Sequence, residues 1–258
     1  MARLEGMVCV VTGAGSRSEG IGNGRATSIL FAREGARVLV CDKDPEAAQV
    51  TVDMISEEGG VAAAYVGDLT LLSAAEAMVE MALSRWGAID VLHNNIGING
   101  PGTVVDATED LWDRVMTVNV KTMMLASKAA IPVLAKSDKA AIVNISSISA
   151  LRPRGLTTYS ASKGAVIALS RAMAVDHAGE GIRVNCIAPG PVYTPHVTSD
   201  GMSAELRERR RLASPLKIEG TAWDVANASL FLASSESRYI TGVLLPVDGG
   251  VILSSAAR

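Results

Sequence analysis

The feature that most constrains this chain is an end-to-end alternation of two hydrophobic patterns. Short apolar runs recur at 7–11 (MVCVV), 37–41 (RVLVC), 61–66 (VAAAYV), 90–94 (DVLHN), 140–146 (AAIVNIS), 182–187 (IRVNCI) and 242–247 (GVLLPV). Helical patterns fill the gaps, at 22–34, 45–58, 71–86, 109–135, 157–178, 203–213 and 222–233. Runs of that kind read as strands covered on both faces. Strand, helix and strand in repetition imply right-handed crossovers and a mainly parallel sheet. The pattern predicts an α/β chain: a single-domain Rossmann fold over 1–258, with a doubly wound seven-stranded mainly parallel sheet and helices on both faces. With 48% hydrophobic and only 3% aromatic residues, the core must be aliphatic. The irregular stretch 191–221, rich in Pro, Gly and Ser around a short charged helix, is long for a connection. It reads as a substrate-binding loop or lid.

The first apolar run is followed by TGAGSRSEGIGNGRA, Thr12 to Ala26, and then by a helical pattern. Strand, glycine-rich turn and helix is the setting in which backbone amides and a helix N-terminus cradle a pyrophosphate. Asp42 ends the second apolar run, 20 residues after Gly22. A carboxylate there accepts hydrogen bonds from ribose hydroxyls and repels a 2′-phosphate, which favours NAD over NADP. Lys43 and Arg17 are cations that soften that preference. Farther on, Tyr159 and Lys163 are four apart and share a helix face. A lysine ammonium beside a tyrosine favours the phenolate, so the tyrosine pKa is expected to fall and the pair can serve as a general acid/base.

Several chemistries lack support. The net charge is −3, and no basic stripe suggests nucleic acid. No apolar run approaches the ~18 residues of a membrane span. The N-terminal MARLEGMVCVV reaches a strand and a glycine turn too soon for a signal peptide. Cys9, Cys41 and Cys186 lie in apolar runs without paired spacing, as reduced core thiols do, so a cytoplasmic location is expected. His93, His177 and His196 form no ligand pair, so no metal is expected. His93 reads as a satisfied core histidine and His196 as a loop residue within reach of substrate or solvent. No GxSxG elbow indicates a hydrolase.

The motifs, taken in order, resemble those of the short-chain dehydrogenase/reductase family along nearly the whole chain. Gly13, Gly20 and Gly22 are similar to its TGxxxGxG turn, with three extra residues between the first two. Asp68 in GDLT, with Leu69 beside it, resembles the acidic adenine-binding site. Asn94, Asn95, Ile96 and Gly97 resemble NNAG. Asn119 in VNVKT, Tyr159 and Lys163 in YSASK, and Pro189 and Gly190 in NCIAPGPVYTP match further motifs, as does the ending YITGVLLPVDGG.

The resemblance implies an NAD(H)-dependent oxidoreductase that interconverts a secondary alcohol and a ketone. Tyr159 would be the acid/base, and Lys163 would tune it and bind ribose. Asn119 would join a water-linked proton relay through its backbone. The serine that holds the substrate oxygen is Ser147 if the strand ends are aligned, or Ser146 if 13 residues are counted back from Tyr159; strand register favours Ser147. The implied cofactor contacts are Gly13, Gly15, Ser16, Gly20, Ile21, Gly22, Asp42, Asp68, Leu69, Asn95, Ile96, Gly97, Tyr159, Lys163, Pro189, Gly190, Val192 and Thr194. Arg17, Ser18 and Glu19 would bulge as a lip over the cofactor, and Gly24 would serve close packing within the helix. The partner is a small-molecule alcohol or ketone, and a homotetramer is implied, with 240–258 as an interface segment. Two alternatives stand beside this reading: an NADPH-dependent 3-oxoacyl-thioester reductase, and a non-catalytic dinucleotide-binding regulator. Arg152 and Arg154, after the serine loop, could select a carboxylate or phosphate, or could be surface residues. The run Arg207 to Arg211 is either a solvated helix face or a lid that attracts acidic substrates.

Overall fold

The computed structural model describes residues 2–16, 20–198 and 201–254. The expected lip at Arg17, Ser18 and Glu19 lies outside the described residues, as does the His196 side chain. The seven apolar runs become β1 (Val8–Thr12), β2 (Arg37–Asp42), β3 (Val61–Val66), β4 (Val91–Asn94), β5 (Ala141–Ile145), β6 (Arg183–Pro189) and β7 (Leu244–Val247). They form one sheet in the order β3-β2-β1-β4-β5-β6-β7. Every adjoining pair is parallel, so the mainly parallel sheet is wholly so among the described residues.

Period-two alternation sorts each strand between two cores. Val10, Leu39, Cys41, Leu92 and Ile142 point to one face. There they meet α3 (Leu72–Trp86), α5 (Thr122–Leu134) and α6 (Thr157–Asp176), through Met78, Leu125 and Met173. Cys9, Val11, Val38, Val40 and Val91 point to the other face. Their partners are α1 (Asn23–Arg33), α2 (Pro45–Glu57) and α9 (Ala222–Ala233), through Ile29, Ile55 and Leu230. Local chemistry sets the helix ends. The Asp44 carboxylate accepts from the amides of Glu46 and Ala47 ahead of Pro45, which starts α2. Thr221 and Asp224 close a capping box on α9. Gly87 ends α3 at φ 78°, a left-handed conformation that glycine adopts without strain.

One helix differs from its sequence pattern. The stretch expected as a single helix over 109–135 is α4 (Glu109–Met116) and α5, joined by a π-helical turn at Thr117–Lys121. The backbone stays right-handed helical through both junctions. One residue is therefore inserted into a continuous helix, a change that apolar spacing hardly registers. Asn119 sits in that turn, fully buried.

The chain reverses its direction of travel between β1 and β4, and this places the site. Thr12 pairs with Asn94 in register, so the loops after them, starting at Gly13 and Asn95, leave the sheet side by side. Such a switch point opens a crevice at the carboxyl ends of the strands. The irregular stretch overhangs it with α7 (Pro195–Thr198) and α8 (Ala204–Leu212). Its base is pinched by a bridge between Tyr193 and Thr221, where the Tyr193 amide donates to the Gly220 carbonyl at 2.7 Å.

Candidate active site

A cleft of about 1400 Å³ runs along the switch point. Its lining includes most of the residues singled out from sequence: Gly13, Gly15, Ser16, Gly22, Asp42, Asp68, Leu69, Asn95, Ile96, Gly97, Ser147, Tyr159, Lys163, Pro189, Gly190, Val192 and Thr194. Gly20, Ile21 and Asn119 are not part of the lining. The Gly20 carbonyl accepts from Arg25, Ile21 packs into the core beneath α1, and Asn119 lies behind the cleft wall.

The glycine turn is built for close approach. A Cβ on Gly24 would lie 2.1 Å from the Gly13 carbonyl oxygen, so α1 packs directly on the turn, as its place in the sequence suggests. Asn95 staples the same turn to β4, its Nδ2 donating to the Gly13 carbonyl at 2.9 Å. Gly15 donates its amide to Asp42 Oδ2 at 2.9 Å, and a Cβ there would stand 2.8 Å from that oxygen. Asp42 Oδ1 accepts from the Asp44 amide at 3.2 Å. Helix α1 starts at Gly22 with no side-chain cap and no acidic residue in its first turn. Its free amides and positive dipole end therefore remain available to an anion. Asp68 is held by the Thr70 amide and hydroxyl, at 3.0 and 2.8 Å, and these bonds lower its pKa. Uncapped amides, a close-packed turn and a carboxylate at the end of β2 fit a dinucleotide.

Sequence reasoning missed Arg25. It is buried in α1 and donates to Thr51 Oγ1 at 3.0 Å, the Gly20 carbonyl at 2.7 Å and the Ala47 carbonyl at 3.3 Å. It thereby ties the glycine turn to α2. Nothing in GRATS distinguishes it from an ordinary helix-surface arginine. Val251 and Ser254 of the C-terminal segment also line the cleft.

At the other end, β5 delivers two serines with opposite directions. Ser146 Oγ donates to the Lys163 carbonyl at 2.7 Å, whereas Ser147 is hydrogen-bonded to the Tyr159 side chain. Lys163 is buried, and its Nζ donates to the Ile145 carbonyl at 2.9 Å, lying 5.7 Å from the centre of the Tyr159 ring. Burial lowers the Lys163 pKa to about 8. The expected fall of the Tyr159 pKa is not what the structure has. Burial raises it, and the Ser147 hydrogen bond offsets this only in part. The lysine lies over the ring and is committed to a carbonyl, so desolvation of the phenolate outweighs it. Asn119 uses its whole amide: Oδ1 accepts from the Ile98 amide at 2.7 Å, and Nδ2 donates to the Ile98 carbonyl at 3.0 Å and to Ser162 Oγ at 2.9 Å. It therefore pins the loop carrying Gly97 against α6.

The cysteines and His93 are core residues as expected, but His93 is not the fully satisfied histidine expected, because its buried Nδ1 has no hydrogen-bond partner. His93 is fully buried, with Nε2 3.0 Å from Ser229 Oγ, and burial pushes its pKa down to about 3. Burial also raises the thiol pKa of Cys9, Cys41 and Cys186, so these cysteines stay protonated.

Residues 14–252 match a family model described as enoyl-(acyl carrier protein) reductase. The chain is 37% identical over 252 residues to a 3-oxoacyl-(acyl-carrier-protein) reductase of Thermotoga maritima, covering 97% of this chain and 100% of that one. It is 39% identical over 261 residues to 2-(S)-hydroxypropyl-CoM dehydrogenase 3 of Xanthobacter autotrophicus, covering 96% and 98%. A crystal structure from Burkholderia xenovorans, described as a short-chain dehydrogenase/reductase, superposes with a TM-score of 0.93 at 36% identity, covering 99% and 100%.

Proposed function

The chain belongs to the short-chain dehydrogenase/reductase family, and we propose that it is an NAD(H)-dependent member in which Tyr159 exchanges the proton of a secondary alcohol. The observation that carries the proposal is the convergence of Ser147, Tyr159 and Lys163 on one wall of a cleft whose far end holds Asp42 and the uncapped start of α1. Bound there, a nicotinamide dinucleotide would exchange a hydride with the carbinol carbon. The remaining work falls to the chain's own side chains.

Ser147 orients the substrate oxygen towards the Tyr159 hydroxyl. A phenol held protonated by burial is the form that donates a proton to a ketone oxygen, so the site as folded is set for reduction at neutral pH. Oxidation of the alcohol requires the phenolate. A charged Lys163 favours that form, as does the Ser147 hydrogen bond. Asn119 fixes the loop beside Lys163 and would hold the relay water through its backbone. Gly13, Gly15, Ser16 and Gly22 would form the phosphate and ribose cradle, with Gly20 and Ile21 supporting it from behind the cleft lining. Asp68 and Leu69 would hold the adenine, and Asn95, Ile96 and Gly97 would contact the cofactor. Pro189, Gly190, Val192 and Thr194 would border the nicotinamide, and the stretch 191–221 would serve as the substrate loop.

Asp42 supports NAD, because its carboxylate stands where a 2′-phosphate would have to be accommodated. NADPH-dependent reduction of a 3-oxoacyl thioester is the second reading. It is favoured by Lys43 lining the same end of the cleft and by what the Thermotoga maritima relative is called. Initial rates with a panel of secondary alcohols and ketones, each with NAD(H) and NADP(H), decide between the two. A kcat/KM preference for NADPH with thioesters would overturn the first. No helix among the described residues is long and apolar enough to cross a membrane. A cytoplasmic homotetramer completes the proposal, supported by exposed apolar side chains at Val175, Tyr239 and Leu253. Light scattering that returned a monomer would refute the assembly.

A further inference from the structure

The carboxylates lining the cleft are confined to one end, where Lys43 is the one cation beside them among the described residues. Asp42 ends β2, Asp44 follows it, and Asp68 follows β3. The elements around Ser147 and Tyr159 contribute Arg114, Arg152, Arg154, Arg209, Arg210 and Lys217 to the lining, and no carboxylate among the described residues.

Helix α8 contributes Arg209 and Arg210 to this set. Leu206, Arg209, Arg210, Leu212 and Ala213 line the cleft, and all but Leu212 have the spacing of one helical face. Arg207 and Arg211 are instead paired with Glu219 and Glu208, each at 2.6 Å. The Arg207 guanidinium also stacks on the Tyr193 ring at 3.9 Å. The acidic residues of this region thus neutralise the arginines outside the lining. The run Arg207 to Arg211 is neither uniformly solvated nor uniformly a lid.

Two of the cleft arginines are fixed in place without losing their charge. Arg210 is half-buried and donates to the Val192 carbonyl at 3.3 Å. Burial alone lowers its pKa, as expected for a cation with no acidic partner. Arg152 is also half-buried and follows the Ser147 turn. It donates to the Val251 carbonyl and, at 2.8 Å, to Ser254 Oγ. Neutral oxygens position a guanidinium but leave it uncompensated, so an anion entering the cleft gains charge-assisted hydrogen bonds that water cannot match. The planar fork suits two oxygens of one oxyanion.

We propose that the substrate is a secondary alcohol or ketone carrying an anionic group, a carboxylate, sulfonate or phosphate, that Arg152 and Arg210 bind while Tyr159 meets its hydroxyl. This rests on the oxidoreductase reading above and adds the class of substrate.

The test uses β-, γ- and δ-hydroxy acids and hydroxyalkyl sulfonates, each paired with its neutral amide, on the enzyme saturated with NAD. At one or more chain lengths the anion should exceed its amide about tenfold or more in kcat/KM, with the difference carried by KM. That ratio should fall about tenfold in Arg152→Gln and in Arg210→Gln. Calorimetric titration of the same pairs gives binding independently of turnover. Equal affinity and equal turnover of anion and amide at every length, including none for either, would overturn the proposal and leave the oxidoreductase reading to its own assay. Preferential binding of anions without any turnover would keep the anion site and sink the secondary-alcohol reading.

Discussion

Replacing Gly24 by alanine should damage cofactor binding far more than folding. The new methyl carbon would stand 2.1 Å from the Gly13 carbonyl oxygen and 2.7 Å from Asn95 Nδ2. Non-bonded atoms settle at roughly 3.5 Å, so α1 and the glycine turn must part by about 1 Å or more. Overpacking of that kind costs about 1–3 kcal/mol. Alanine recovers about 1 kcal/mol of helix propensity over glycine. The net loss of folding stability is therefore about 0–2 kcal/mol. The cradle, however, is moved against the first-turn amides and Asn95 together. Losing one charge-assisted hydrogen bond to a phosphate costs about 1.5–3 kcal/mol, or about 10- to 150-fold in Kd. Fluorescence titration with NADH gives Kd, and a thermal melt gives stability. A Kd within about twofold of the parent chain, with an unchanged melting temperature, would refute the claim that α1 rests on Gly13 and that this contact shapes the cradle.

Asp42→Ala removes the carboxylate from the adenosine end and should raise kcat/KM for NADP relative to NAD by about tenfold or more, an outcome read from paired initial rates. An unchanged ratio would place cofactor choice elsewhere. His93 predicts an acid-dependent stability. Its folded pKa, about 3, lies below the unfolded value of about 6.5. Between those values the unfolded chain binds a proton that the folded chain refuses, so stability falls as pH drops, by about 2 kcal/mol between about pH 6.5 and about pH 5. Urea denaturation of His93→Gln should show a shallower acid slope than the parent chain; equal slopes would show that His93 is not held neutral.

The sheet and its switch point were legible because they depend on long-range hydrophobic pattern, which covered strands write plainly. The close-packed glycine turn beside Asp42 was legible through glycine spacing. The π-helical turn was not, since one inserted residue leaves apolar spacing within the tolerance of a helix. The two serines could not be separated by counting, because a loop deletion and a register shift give the same arithmetic. Their opposite directions just after β5 make them distinct. The Tyr159 pKa was misread because sequence shows which charge is near but not how much water is excluded. Arg25 and the sorted arginines of α8 were hidden for a related reason. Whether an arginine meets a glutamate or a cleft is decided by packing among distant segments, such as Glu219 on Arg207.

The most direct test of the central claim is turnover by Tyr159→Phe, measured in both directions alongside NADH affinity. Removing the hydroxyl removes the proposed acid/base, so kcat should fall about 10²- to 10⁴-fold, while NADH should still bind within about threefold of the parent chain. Turnover retained at the parent level, with the cofactor bound, would contradict the account.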